Sequence, residues 1–181
     1  MTQQPETIRQ NIEQQRGSQA WKDVQKIKSF SENEQDPKWK KEYDKLQKEY
    51  RSLARGLNAM IQINGLGQML GFLKAKGKNE LKDGRQTKNA HFYLLGHLTH
   101  WMHWHFDIVD NQPNSNIPEA TDAKNDGLLE WILKRASNAD YRRATTECLA
   151  FGTWLRRFAE GELKDPDVPE STSQQAQGDI V

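Results

Sequence analysis

Apolar positions along this 181-residue chain recur at spacings of three and four, the period of a helix seen from its buried side. Ile8, Ile12, Ala20, Val24 and Ile27 predict a first helix over residues 6–30, weakened midway by Gly17 and Ser18. Asp36, with Pro37 at the first helical position, opens a second helix. Its stripe is Trp39, Tyr43, Leu46, Tyr50 and Leu53. Residues 57–76, LNAMIQINGLGQMLGFLKAK, predict one central helix with two apolar faces. Ile63, Leu66, Met69, Leu70 and Leu73 cluster on one side. Met60, Asn64, Gly67, Gly71 and Ala75 line the other, where small side chains admit a neighbouring backbone. Such a helix belongs in the middle of a bundle. Asn58, Gln62, Asn64 and Gln68 interrupt it well short of the roughly 20 apolar residues that a membrane span requires.

Residues 74–88, with Gly77 and Gly84, read as the end of that helix and a loop. A fourth helix is predicted over 87–109, burying Phe92, Leu95, Met102, Phe106 and Val109, and 110–124 reads as a loop around Pro113 and Pro118. Asn125 or Asp126 caps a short fifth helix carrying Leu128, Leu129, Ile132 and Leu133, and Ser137 or Asn138 caps the last. No convincing strand and no repeat is visible. The expectation is an all-α fold, a single compact bundle of about six helices around a central apolar helix. The bundle spans residues 1–162, and 163–181 form a disordered acidic polar tail.

Charge changes this picture more than composition does. The formal net charge is +1, yet residues 160–181 hold six acids and one base, leaving 25 bases against 19 acids in the rest. A basic body with an acidic appendage suits a protein that meets a polyanion. On the second helix Lys41, Lys45, Lys48, Arg51 and Arg55 share a face opposite the aromatic stripe. On the last helix Arg142, Arg143, Arg156 and Arg157 lie outside the core face of Ala144, Cys148, Phe151, Leu155 and Phe158. Lys74 and Lys76 add to a loop region with six bases and two acids. A basic stripe alone is usually a solvated face. Three together make these eleven residues candidates for contact with a phosphate backbone.

Candidate chemistry is otherwise sparse. Gly65, Gly67 and Gly71 are one residue off the dinucleotide pattern, and no strand precedes them. His97, His100, His103 and His105, interleaved with Trp101 and Trp104, invite a metal reading. On a helix His97 and His103 point about 120° apart and stand about 9 Å apart along the axis, so they cannot share one ion with His100. His105 is expected to point to the apolar side, and a weak site of His100 and His103 with Asp107 is the most that remains. The zincin spacing is absent. Lone Cys148 on a core face reads as packing, and it excludes a disulfide framework, which suits a reducing cytoplasm. No metal, cofactor, membrane or small-molecule substrate is expected. An enzyme is not expected either.

Two motifs carry a family resemblance. Ile63-Asn64-Gly65-Leu66-Gly67-Gln68, with Leu70, Phe72, Leu73 and Lys76-Gly77, is similar to the central motif of the small subunit of the Cmr complex. That complex is the type III-B CRISPR RNA-guided effector. Tyr141-Arg142-Arg143-Ala144-Thr145, with Glu147, Leu149-Ala150-Phe151, Trp154-Leu155 and Arg157-Phe158-Ala159, agrees with it. Gln15-Arg16 with Ala20 and Val24 is a weaker match, with Gly17 in place of an alanine. The resemblance implies a non-catalytic structural subunit, stacked in several copies beside the backbone subunits. It helps line the groove for the guide RNA–target RNA duplex, in defence against foreign nucleic acid. Partners are then other Cmr subunits, further copies of itself, guide RNA and target RNA. The alternatives are a general helical adaptor without nucleic acid and a histidine-cluster metal-dependent hydrolase.

Overall fold

The computed structural model describes residues 4–106, 116–121 and 124–167, with side chains from residue 11 onward. Its elements are α1 (Gln4–Glu32), α2 (Pro37–Asn64), α3 (Leu66–Lys76), β1 (Asn79–Lys82), β2 (Arg85–Lys88), α4 (Ala90–His105), α5 (Gly127–Lys134) and α6 (Asn138–Glu162). α6 lies against both α1 and α2, α4 packs on α2 and α3, and α5 closes one end against α3 and α4. The shared core includes Val24, Ile27, Tyr50, Leu57, Leu70, Trp101 and Phe151, all fully buried. Together these make a mostly helical bundle, as the apolar spacing predicts.

Local chemistry sets most of the helix ends. Asp36 caps α2 by accepting from the Lys38 amide, with Pro37 just inside. Ser137 and Asp140 form a reciprocal capping box at the start of α6. α1 runs unbroken through Gly17, which lies beside the Trp154 indole.

The structure corrects several expectations. Residues 57–76 are not one helix. Gly65, at φ 83°, ends α2 and starts α3, a left-handed conformation that favours glycine. The bend turns Ile63 out to 80 % exposure, while Leu66, Met69, Leu70 and Leu73 stay buried. The expected lysine loop contains an antiparallel hairpin, β1 paired with β2, joined by Asp83-Gly84 at φ 49° and 76°. That Asp-Gly pair is the signature of a two-residue primed turn. Its strands carry almost no apolar residues, so hydrophobic alternation could not mark them. In α5 Trp131 is buried and Leu133 is exposed, the reverse of the expected burial for Leu133. α4 starts later than expected because Asn89 caps it by accepting from the Phe92 amide. Val109, Asp107 and most of the 110–124 loop lie outside the described residues.

The close backbone crossing falls elsewhere than on Gly67 and Gly71. It is Gly152 in α6 that meets α2, where an added side chain would collide with Asn58 Oδ1 and reach Leu57 Cδ2 at 3.0 Å. Asn58 uses this proximity to donate to the Leu149 carbonyl and to Thr153.

Candidate nucleic-acid interface

α2 and α6 run antiparallel, because Arg51 meets Leu163, Asn58 meets Leu149, and Gly65 lies beside Tyr141. This arrangement decides what each basic residue faces. The two ends of the α2 stripe differ. At its C-terminal side Arg51 donates to the Leu163 carbonyl at 2.8 Å and to Asp165 at 2.5 Å. Arg55 reaches Glu160 at 3.2 Å and Asp167 at 4.0 Å, and Glu160 also pairs with Arg156. Residues 163–167 are thus strapped along α2, with Lys164 bridging back to Asp44 at 2.6 Å. Glu162 is held by Lys28 at 2.9 Å, which lowers its pKa, chiefly through that hydrogen bond.

At the N-terminal side Lys41 is exposed and Lys45 has only a loose contact with Glu49 at 3.9 Å, while Lys48 is half-buried. Here α2 faces the hairpin across a groove of about 450 Å³. Lys45, Lys76, Lys78, Lys82 and Lys88 line it, against Glu42, Glu49 and Glu80. Lys82 pairs with Glu42 at 3.1 Å. Lys76 and Lys78 are exposed and have no carboxylate partner among the described residues. The hairpin is clasped onto α2 by Lys38–Asp83 at 2.7 Å, and Arg85 lies 5.1 Å over the Trp39 ring while bonding Glu34.

The other candidates are dispersed. Lys74 pairs with Asp126 at 3.0 Å. Arg157 stacks over Trp154 and Arg143 over Phe106, while Arg142 is exposed beside it. The Arg142–Arg143 corner sits near the Gly65 end of α2, about 30 Å along the helix from Lys45. Between them Arg51, Arg55 and Arg156 are occupied by carboxylates. The eleven residues therefore do not form one continuous track. Lys78, just before the hairpin, and Lys82 and Lys88 within it join the groove instead; the sequence shows their charge, with Asp83-Gly84 the one sign of the turn that aims them.

Three of the histidines are held by their neighbours. His97 is buried, and its Nδ1 lies 2.7 Å from the Tyr50 hydroxyl. Burial pushes its pKa down to about 3. His103 donates from Nδ1 to the Ile117 carbonyl at 2.5 Å, and His105 stacks on Trp101 with ring centres 4.0 Å apart. Among the described residues no three His, Cys, Asp or Glu side chains converge on a metal position. Cys148 is buried, and burial raises its thiol pKa.

The two sequence motifs meet in space. The Gly67 amide donates to the Tyr141 hydroxyl at 3.2 Å, tying the α2–α3 bend to the start of α6. Arg16 forks onto Glu147 at 2.7 and 2.8 Å, and the Trp101 indole donates to the same carboxylate at 2.8 Å. Arg16, Tyr141 and Glu147 are therefore fastenings between helices.

The sequence matches the family model for a CRISPR-associated protein, Cas_Cmr5, over residues 12–162. The fold is similar to the crystal structure of a CRISPR-associated Cmr5 family protein from Thermus thermophilus. The two superpose with a TM-score of 0.53 at 20 % identity, covering 84 % of this chain and 97 % of the other. No helix among the described residues is long and apolar enough to cross a membrane.

Proposed function

We propose, from the premise that this chain belongs to the CRISPR-associated Cas_Cmr5 family and so is a type III-B Cmr subunit, that its part in the complex is structural and non-catalytic. Copies of it stack beside the backbone subunits in the cytoplasm and help line the path of the guide RNA–target RNA duplex. Other Cmr subunits and the two RNAs are its partners, and defence against foreign nucleic acid is the outcome.

The observation that supports RNA contact best is the groove between α2 and the hairpin, where Lys76 and Lys78 lack carboxylate partners among the described residues. Phosphates are the polyanion that such spaced ammonium groups meet without reading sequence, since base pairing with the guide does the reading. Lys41, Lys45 and Lys48 extend the same face. Arg51 and Arg55 already hold acidic partners and contribute less unless the strap moves.

Charge reversal at Lys45, Lys76 and Lys78 in the assembled complex tests this. Target RNA retention should fall at every sequence. The slope of log affinity against log salt should shrink by roughly 0.7–0.9 for each phosphate no longer neutralised. Unchanged retention and slope would remove the groove from the RNA path.

A further inference from the structure

Lys88 also borders a second cavity, of about 280 Å³, between α1, α4 and the residues Ala120, Thr121 and Asn125. Lys88 lines both. Two kinds of wall enclose the second cavity. Phe92 and Tyr93 bring aromatic rings, set edge to face at 89° with centres 6.4 Å apart, and Lys88 Nζ lies 5.5 Å over the Phe92 ring, leaving its other face for a base. Gln19, Asp23, His97 and Asn125 supply hydrogen-bonding groups. Lys26, exposed and without an ion pair among the described residues, stands at the rim with Lys88.

Asp23 is the unusual member. It is 7 % exposed, accepts from Gln19 Nε2 at 2.9 Å through Oδ1, and its Oδ2 has no partner among the described residues. The His97 ring stands 4.0 Å away, too far for a hydrogen bond. An unsatisfied buried carboxyl oxygen is costly, so the wall retains an unmet demand for a hydrogen-bond partner. Burial raises the Asp23 pKa to about 7, which leaves the acid able to donate as well as accept near neutrality.

We propose that this cavity holds a single nucleotide, its base against the Phe92 ring and the Asp23–Gln19 wall, its phosphate between Lys26 and Lys88. The volume suits one base rather than a larger ligand. Base stacking on an aromatic ring is sequence-tolerant, and the carboxyl and amide wall supplies the edge contacts. Lys88 lines both cavities and so places this one beside the lysine groove proposed for a strand, and the inference therefore rests on the RNA reading above.

Titration of the full chain with each ribonucleoside 5′-monophosphate, followed by amide NMR, tests the site. Shifts should appear at Gln19, Asp23, Gly96 and Thr121, with millimolar affinity, and ribose 5-phosphate should produce much weaker ones. Lys26→Glu, a surface change, should weaken binding about tenfold. Phe92→Leu, which keeps much of the volume but loses the ring face, should weaken it by a similar factor. Absence of shifts, or equal response to ribose 5-phosphate, overturns the proposal. A second arm places 4-thiouridine along target RNA in the assembled complex. Crosslinks to residues 92–100 identify the strand as the source, whereas mononucleotide binding without crosslinks assigns the cavity to a free nucleotide. Loss of mononucleotide binding with salt-sensitive RNA retention intact would sink the cavity and spare the groove.

Discussion

Arg51 and Lys45 stand on the same stripe of α2, less than two turns apart, yet their surroundings are opposite. Arg51 is 14 % exposed in its side chain and grips Leu163 and Asp165; Lys45 is 72 % exposed and barely touches Glu49. A helical wheel gives both residues the same status. What separates them is the strap of residues 163–167 after α6, which returns as an acidic lining over one half of the stripe. Positive charge in a sequence is therefore only potential affinity for phosphate. The acids that come back across it decide how much is available.

The sharpest way to break this contrast is to disturb the helix crossing that aligns the strap. Gly152→Val drives a side chain into Asn58 and Leu57 and should destabilise the fold by about 3 kcal/mol or more, read as a large drop in thermal midpoint. The strap should lose its register on α2 as part of the same change.

Asp23 and Asp165 next separate carboxylates by environment. Asp23→Asn should stabilise the protein at pH 8 by about 2 kcal/mol, the desolvation relieved less one unsatisfied amide N–H. Asp23 is raised from 3.8 to about 7, so the folded state binds the extra proton between those values and the wild type loses stability as pH rises through them. The gain from the substitution should vanish near pH 4 and level off above pH 7. His97 has the opposite sign. Its pKa is lowered from 6.5 to about 3, so stability rises with pH across that interval. The two slopes nearly cancel between about pH 4 and 6.5, and Asp23→Asn should unmask the His97 slope in denaturation curves.

Asp165→Asn should instead destabilise, by about 1 kcal/mol, because Arg51 is largely enclosed and loses its charged partner. The same variant should bind RNA more tightly at low salt. If affinity stays unchanged, the strap is a fastening with no bearing on the basic face. The smallest effect belongs to Lys45→Glu, whose stability change should stay within about 0.5 kcal/mol while RNA retention falls.

The fold was legible where apolar residues carry the information. The α2 and α6 caps follow from Asp36-Pro37 and Ser137 in the sequence, and the helical period marks the core faces. It was less legible where backbone conformation decides. Gly65 looks like one more small residue in an apolar run, and only its positive φ turns one expected helix into two. The hairpin was hidden for a related reason, because Asn79–Lys82 and Arg85–Lys88 bury little and their only signal was Asp83-Gly84. For the basic residues, their identity was readable but not their partners, since Asp165 and Glu160 lie more than 100 residues away from Arg51 and Arg55 in sequence. Asp23 and His97 gave no sign of sharing a wall, because α1 and α4 meet only in the tertiary fold.

The lysine-bearing hairpin rests on its neighbours through a few edge contacts, Lys38 with Asp83, Lys82 with Glu42 and Arg85 with Trp39, rather than through buried apolar area. Its opening free energy should therefore be a small fraction of that for the whole domain, with amides that exchange before those of the bundle. The wall that carries two of the five groove lysines, Lys82 and Lys88, can then swing to fit a strand, and each bound phosphate should raise the protection of the ribbon that holds it.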